Sequence, residues 1–176
     1  MSMPSKFFLL AAAPLAILVA GCASAPSIDV PEKLRPGTGE TLAMIVPARG
    51  VQIYECRAAK EGGTFEWAFV APEAELFDAG GKKIGKHYAG PSWEAADGSK
   101  IVGAVKERAD APAPNAIPWL LLSAKSVGPH GAFARVTSVQ RVRTEGGVAP
   151  KGCFAPETGM QLRVPYTADY YFYAPS

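Results

Sequence analysis

No stretch of this sequence concentrates charge of one sign. The chain has 176 residues, with 18 Lys and Arg against 16 Asp and Glu and a formal net charge of +2 at pH 7. Neutralising phosphates along a nucleic acid needs a basic face, and none is present, so no nucleic-acid partner is expected. Room for helices is also scarce, because 18 Gly and 16 Pro cut the chain into short segments. Histidine occurs only as His87 and His130, so a Ser-His-acid triad would have to recruit one of these two. His130 sits in Gly128-Pro129-His130-Gly131, a loop tip by composition. The three cysteines form no close CxxC-like pair, and the DxDxDG spacing of a calcium loop is absent, so no metal is expected. Gly80 to His87 approaches the phosphate loop GxxxxGK[ST] but puts His87 where the magnesium-binding hydroxyl belongs. No cofactor is expected.

Long apolar runs are missing too, apart from Phe7 to Ala20, about 14 residues interrupted by Pro14 and preceded by Lys6. A spanning helix needs roughly 20 apolar residues, so residues 1–21 read as an export signal rather than a permanent anchor. The run closes on Val19-Ala20-Gly21-Cys22. This tetrapeptide resembles the bacterial lipobox, in which the Cys is lipidated and becomes the new amino end. Lipidation at Cys22 is what the resemblance implies, and two or three acyl chains at about 0.8 kcal/mol per buried CH₂ make a lasting membrane anchor. Ala23 after the Cys resembles proteins sorted to the outer membrane and facing the periplasm. A soluble, secreted protein is the alternative. Residues 22–41, with three prolines and no apolar period, read as a tether; packing of Ile28, Val30 and Leu34 along the domain is the rival reading.

From residue 42 to 176 the apolar segments are short, β-branched and aromatic, and turn residues punctuate them. The pattern predicts one all-β domain, a β-sandwich or barrel of about eight or more mostly antiparallel strands with short helical turns. Expected strands include Leu42–Val46, Val51–Tyr54, Phe65–Val70, Ile84–Tyr88, Lys100–Val105, Trp119–Val127, Phe133–Val142 and Tyr170–Tyr173. Asp78-Ala79-Gly80-Gly81 is expected to turn a hairpin. Trp119-Leu120-Leu121-Leu122 lacks polar alternation and predicts burial on both faces or at a sheet-to-sheet contact. Trp93–Asp97 and Ala104–Asp110 each read as a turn or two of helix.

With Cys22 assigned to lipid, Cys56 and Cys153 remain, and in an oxidising compartment the simplest expectation is one disulfide. The candidate ligand-binding residues are His87, Tyr88, Trp93, Glu94 and Asp97, which fall within eleven residues. His87 and Tyr88 supply hydrogen bonds, Trp93 a stacking face, and Glu94 with Asp97 acceptors. A second aromatic set, Tyr166, Tyr170, Tyr171 and Tyr173, reads either as ligand-facing or as core with bonded hydroxyls.

Several strings carry a family resemblance: Gly50-Val51-Gln52-Ile53-Tyr54-Glu55-Cys56, Trp67-Ala68-Phe69-Val70-Ala71-Pro72-Glu73-Ala74, Gly85-Lys86-His87-Tyr88-Ala89-Gly90-Pro91-Ser92-Trp93-Glu94, Ala116-Ile117-Pro118-Trp119-Leu120-Leu121 and Val164 to Tyr173. From about residue 40 to 174 the chain resembles the domain of unknown function 3455 family, small exported proteins of bacteria and fungi. The resemblance implies a secreted one-domain protein and transfers no catalytic residue. Three functional readings follow. The first is a lipid-anchored envelope protein that binds a small polar or aromatic ligand, or an envelope component such as a glycan. The others are a hydrolase using Glu94 or Asp97 with His87, and a structural envelope protein without a small-molecule site.

Overall fold

A computed structural model describes residues 28–60 and 62–176. The expected signal at residues 1–21 and the expected lipidation site Cys22 lie outside the described residues. The chain forms eight antiparallel strands in sequential order, closed into a barrel by pairing of the first with the last. They are β1 (Glu40–Ala58), β2 (Phe65–Phe77), β3 (Lys83–Tyr88), β4 (Ser92–Ala95), β5 (Lys100–Ala109), β6 (Trp119–Ser126), β7 (Ser138–Gly146) and β8 (Gln161–Pro175). Two short 3-10 turns, Glu32–Leu34 and Ala155–Glu157, are the helical elements among the described residues. None of their helices is long and apolar enough to cross a membrane.

Closure settles the choice between sandwich and barrel and leaves β7 paired on both sides. The two runs expected before and after Arg49-Gly50 are one continuous strand. Gly50 is needed there because a Cβ would stand 2.1 Å from the Glu73 carbonyl oxygen and 2.4 Å from the Ala74 Cα. The expected hairpin at 78–81 forms, with Asp78 Oδ1 accepting from the Gly80 and Lys82 amides. Cys56 and Cys153 are joined in a disulfide, Cα to Cα 6.1 Å, tying the end of β1 to the loop before β8.

Two expected helical turns are strand instead. Trp93–Asp97 supplies β4 and the turn after it, and Ala104–Asp110 is largely the second half of β5. The cause is tertiary: Trp93 and Glu94 lie between β3 and β5, and Ala104–Ala109 pairs along β6, ladders that satisfy the backbone more completely than an isolated helical turn of marginal stability could. The segment expected as strand from Phe133 also begins later, at Ser138. Phe133 and Val136 instead lie in turns that plug one end of the barrel, where Phe133 packs edge-to-face on Phe172 at 5.0 Å.

The core has two layers. Inside the barrel lie Val46, Ala48, Leu76, Trp93, Ile101, Leu122, Val139, Tyr166, Tyr170 and Phe172. Outside, Leu34 is fully buried against Trp119, Leu121, Val142 and Tyr171, and Ile28 and Val30 pack beside it. Gln140 Nε2 donates to the Leu34 carbonyl at 2.6 Å. The C-terminal part of the expected tether, from residue 28, is therefore docked on the barrel, and β1 begins at Glu40. This second layer explains why Trp119-Leu120-Leu121-Leu122 is apolar on both faces: Leu122 faces inward and Trp119 and Leu121 face the docked segment.

Candidate functional site

Eight strands enclose an interior just wide enough for side chains or one small ligand. Here the end carrying the 78–82, 96–99 and 127–137 loops is filled by Phe133, Val136, Leu76, Ile101 and Phe172. Toward the other end a cavity of about 250 Å³ remains. Its inner wall includes His87, Trp93, Leu122, Arg141 and Tyr170, and the β3–β4 loop, Ala89 to Pro91, closes one side. Phe69, Val70 and Val105 also line it, yet they are 54%, 40% and 56% exposed, an apolar rim around an open mouth.

His87 and Trp93 meet because β3 and β4 pair with these residues directly opposite. Both project inward, 3% and 1% exposed, and their rings stack at 4.5 Å and 16°. Tyr170 stands edge-on to both, at 5.0 and 5.5 Å. Room for the indole is made by Gly103 on β5, where a Cβ would lie 2.8 Å from Trp93 Cζ3. Burial pulls the His87 pKa down to about 3, so the ring is neutral. Its Nδ1–H donates to the Ser92 carbonyl at 2.9 Å, which leaves Nε2 as a lone-pair acceptor.

The remaining sequence candidates go elsewhere. Successive strand residues point to opposite faces, so Tyr88 and Glu94, each one residue from an inward ring, lie outside the barrel. There the Tyr88 hydroxyl donates to Glu94 Oε2 at 2.6 Å, Lys86 Nζ is 3.1 Å from Glu94 Oε1, and Lys100 Nζ sits 5.0 Å over the Tyr88 ring. Hydrogen bonds from Tyr88 and Lys86 hold the Glu94 carboxyl below the usual range. Asp97 is a loop clamp: Oδ1 accepts from the Ser99 amide and hydroxyl at 2.9 and 2.6 Å, and Oδ2 accepts from the Ala132 amide at 2.8 Å. Neither carboxylate reaches His87, so the acid–base couple of the hydrolase reading is not assembled. The C-terminal tyrosines divide likewise. Tyr166 and Tyr170 are interior with hydroxyls 3.3 Å apart, Tyr171 packs outward, and Tyr173 donates to Gln140 Oε1 at 2.6 Å.

The family model described as Protein of unknown function (DUF3455) matches residues 36–174. The chain belongs to the DUF3455 family. Comparison with curated proteins and with solved structures finds no match. The matched span runs from just before β1 to the last residue but one of β8 and includes every residue of the cavity wall and rim.

In this DUF3455 barrel the sequence reading finds His87 and Trp93 but misses Arg141. This residue pairs with Leu120 on β6 and Tyr170 on β8, at inward-facing positions. Its Nε and Nη2 donate to the Pro118 carbonyl at 3.1 and 2.8 Å. The signal that could have found it is parity, since Val139 and Arg141 alternate with Gln140 and Val142. Burial of Gln140 and Val142 under the docked N-terminal segment hides that alternation. Among the described residues no group of three or more His, Cys, Asp or Glu side chains is placed to hold a metal ion.

Proposed function

We propose that this is an exported envelope protein, anchored through lipid at Cys22, whose barrel takes a small, mostly apolar ligand into its open end without chemistry. One observation carries the binding reading: an interior cavity of about 250 Å³, lined by a stacked His87–Trp93 pair and opening through an exposed rim of Phe69, Val70 and Val105. An eight-stranded interior can be filled completely by side chains, and here one end is filled and the other is not. Concave, largely apolar sites with a few fixed polar groups are where small molecules bind. The volume is slightly under the usual range of about 300–1,000 Å³, which points to a single-ring occupant. Export is supported by the apolar run ending in Val19-Ala20-Gly21-Cys22 and by a disulfide suited to an oxidising compartment.

Binding is tested by titrating the protein with neutral single-ring compounds and following amide and methyl chemical shifts. Shifts clustered on His87, Trp93, Leu122 and Tyr170 are expected; perturbation confined to the outer face around Tyr88 and Glu94 would move the site there. For the anchor, Cys22→Ser should release the protein from membranes on fractionation, and unchanged membrane association would remove lipid at Cys22 from the account.

A further inference from the structure

The barrel interior carries a positive charge that no anion balances among the described residues. Among the described residues Arg141 is the only charged one lining the cavity, whose other members are apolar, aromatic or neutral. Ion pairs found among the described residues are Arg57–Glu55, Lys83–Glu75, Lys86–Glu94, Arg143–Asp169 and Arg163–Glu73, and in each the cation is at least half exposed. Arg141 joins none of them. Two of its nitrogens hold the Pro118 carbonyl, and its other hydrogen-bonding neighbour is the neutral Tyr170 hydroxyl, so it meets dipoles and no anion. Burial dominates the titration of His87, Tyr166 and Tyr170, and the Arg141 charge is a smaller influence on all three. A donor is also unused: the Trp93 indole N–H is buried and unpartnered. Taking a guanidinium from bulk water toward an apolar cavity is costly unless an anion completes it.

We infer that the cavity selects a small aromatic monocarboxylate, its ring against the His87–Trp93–Tyr170 wall and its carboxylate on Arg141. The inference rests on the binding reading above and narrows it. One cation balances one negative charge, which favours a monoanion over a phosphate dianion. The planar guanidinium presents paired N–H groups that match the two oxygens of a carboxylate. Size agrees: an apolar cavity of about 150 Å³ takes a benzene ring, and about 250 Å³ leaves room for a ring bearing a carboxylate. The wall is built of rings placed for stacked and edge-to-face contact.

The test is calorimetric titration of the wild-type protein at pH 7 with benzoate and with benzyl alcohol, a neutral molecule of nearly the same shape. Benzoate is expected to bind at least about 10-fold more tightly, the smaller end of what a charge-assisted hydrogen bond contributes. Arg141→Gln should cut benzoate affinity by about 10- to 100-fold and erase its preference over benzyl alcohol, and Arg141→Lys should recover part of the loss. Equal affinity of the wild-type protein for the two compounds overturns carboxylate selection and leaves the binding reading in place. Absence of binding by both overturns the binding reading itself. The wild-type comparison stands even if Arg141→Gln, having lost its bonds to Pro118, does not fold.

Discussion

Lowering the pH from 7 to 5 should destabilise the protein through His87 alone. The ordinary histidine pKa of 6.5 applies to the unfolded chain, and in the folded barrel burial lowers it to about 3. Across this interval the unfolded state takes up a proton that the folded state refuses, so stability rises with pH and falls on acidification. The loss begins near pH 6.5, grows by about 1.4 kcal/mol per pH unit, and levels off only near pH 3. Between pH 7 and pH 5 the decrease is about 2 kcal/mol. Carboxylates contribute little there, since those with shifted values, such as Glu40, Glu94 and Asp97, are lowered further from the interval. Urea denaturation of wild type and His87→Phe at both pH values measures the effect. The variant starts lower, because the Ser92 carbonyl loses its donor at about 1–3 kcal/mol, but its stability should be nearly flat over the same range. A wild-type decrease no larger than the variant's, or a His87 ring resonance titrating near pH 6.5 in the folded protein, refutes the buried neutral imidazole.

Reducing the Cys56–Cys153 bridge reopens a 97-residue separation, which the chain-entropy model values at about 4.7 kcal/mol. For roughly 140 ordered residues this corresponds to a fall in Tm of about 15 °C, measurable by paired melts of oxidised protein and the Cys56→Ala/Cys153→Ala variant. Gly103→Val pushes into the Trp93 indole and should cost about 1–3 kcal/mol in urea while altering tryptophan fluorescence; an unchanged midpoint would mean the indole is not held there. Asp97→Ala removes the acceptor joining the 96–99 and 128–133 loops, so the Ala132 amide should exchange with solvent about tenfold faster, with little change at the barrel mouth.

What could be read from sequence depended on whether a segment's environment was local. The 78–81 hairpin was legible because Asp78 and the glycines set the turn through their own backbone contacts. Phe65–Val70 was legible as strand, but its burial does not alternate through to the end, because Phe69 and Val70 are both exposed at the barrel mouth. The short segments at 93–97 and 104–110 misled, because their Ala, Glu and Lys content is helix-compatible while pairing within a closed sheet decides the outcome. Site residues were half legible for a related reason. Proximity along the chain put His87, Tyr88, Trp93 and Glu94 together, but strand parity sends two of them into the cavity and two to the outer surface. Arg141 and Tyr170 lie more than 50 residues from His87 and reach it only when β8 pairs with both β7 and β1, a closure that no local pattern reports.

The central claim is that the open end of the barrel is a binding site with Arg141 at its polar pole. Its most direct test is a crystal structure of the protein grown with 4-iodobenzoate, using the anomalous signal of iodine to locate the ligand. The account predicts one strong iodine peak in the mouth near Phe69 and Val105, with the carboxylate on the Arg141 guanidinium. Iodine only on the outer surface, with the cavity collapsed or filled by the protein's own side chains, would contradict it.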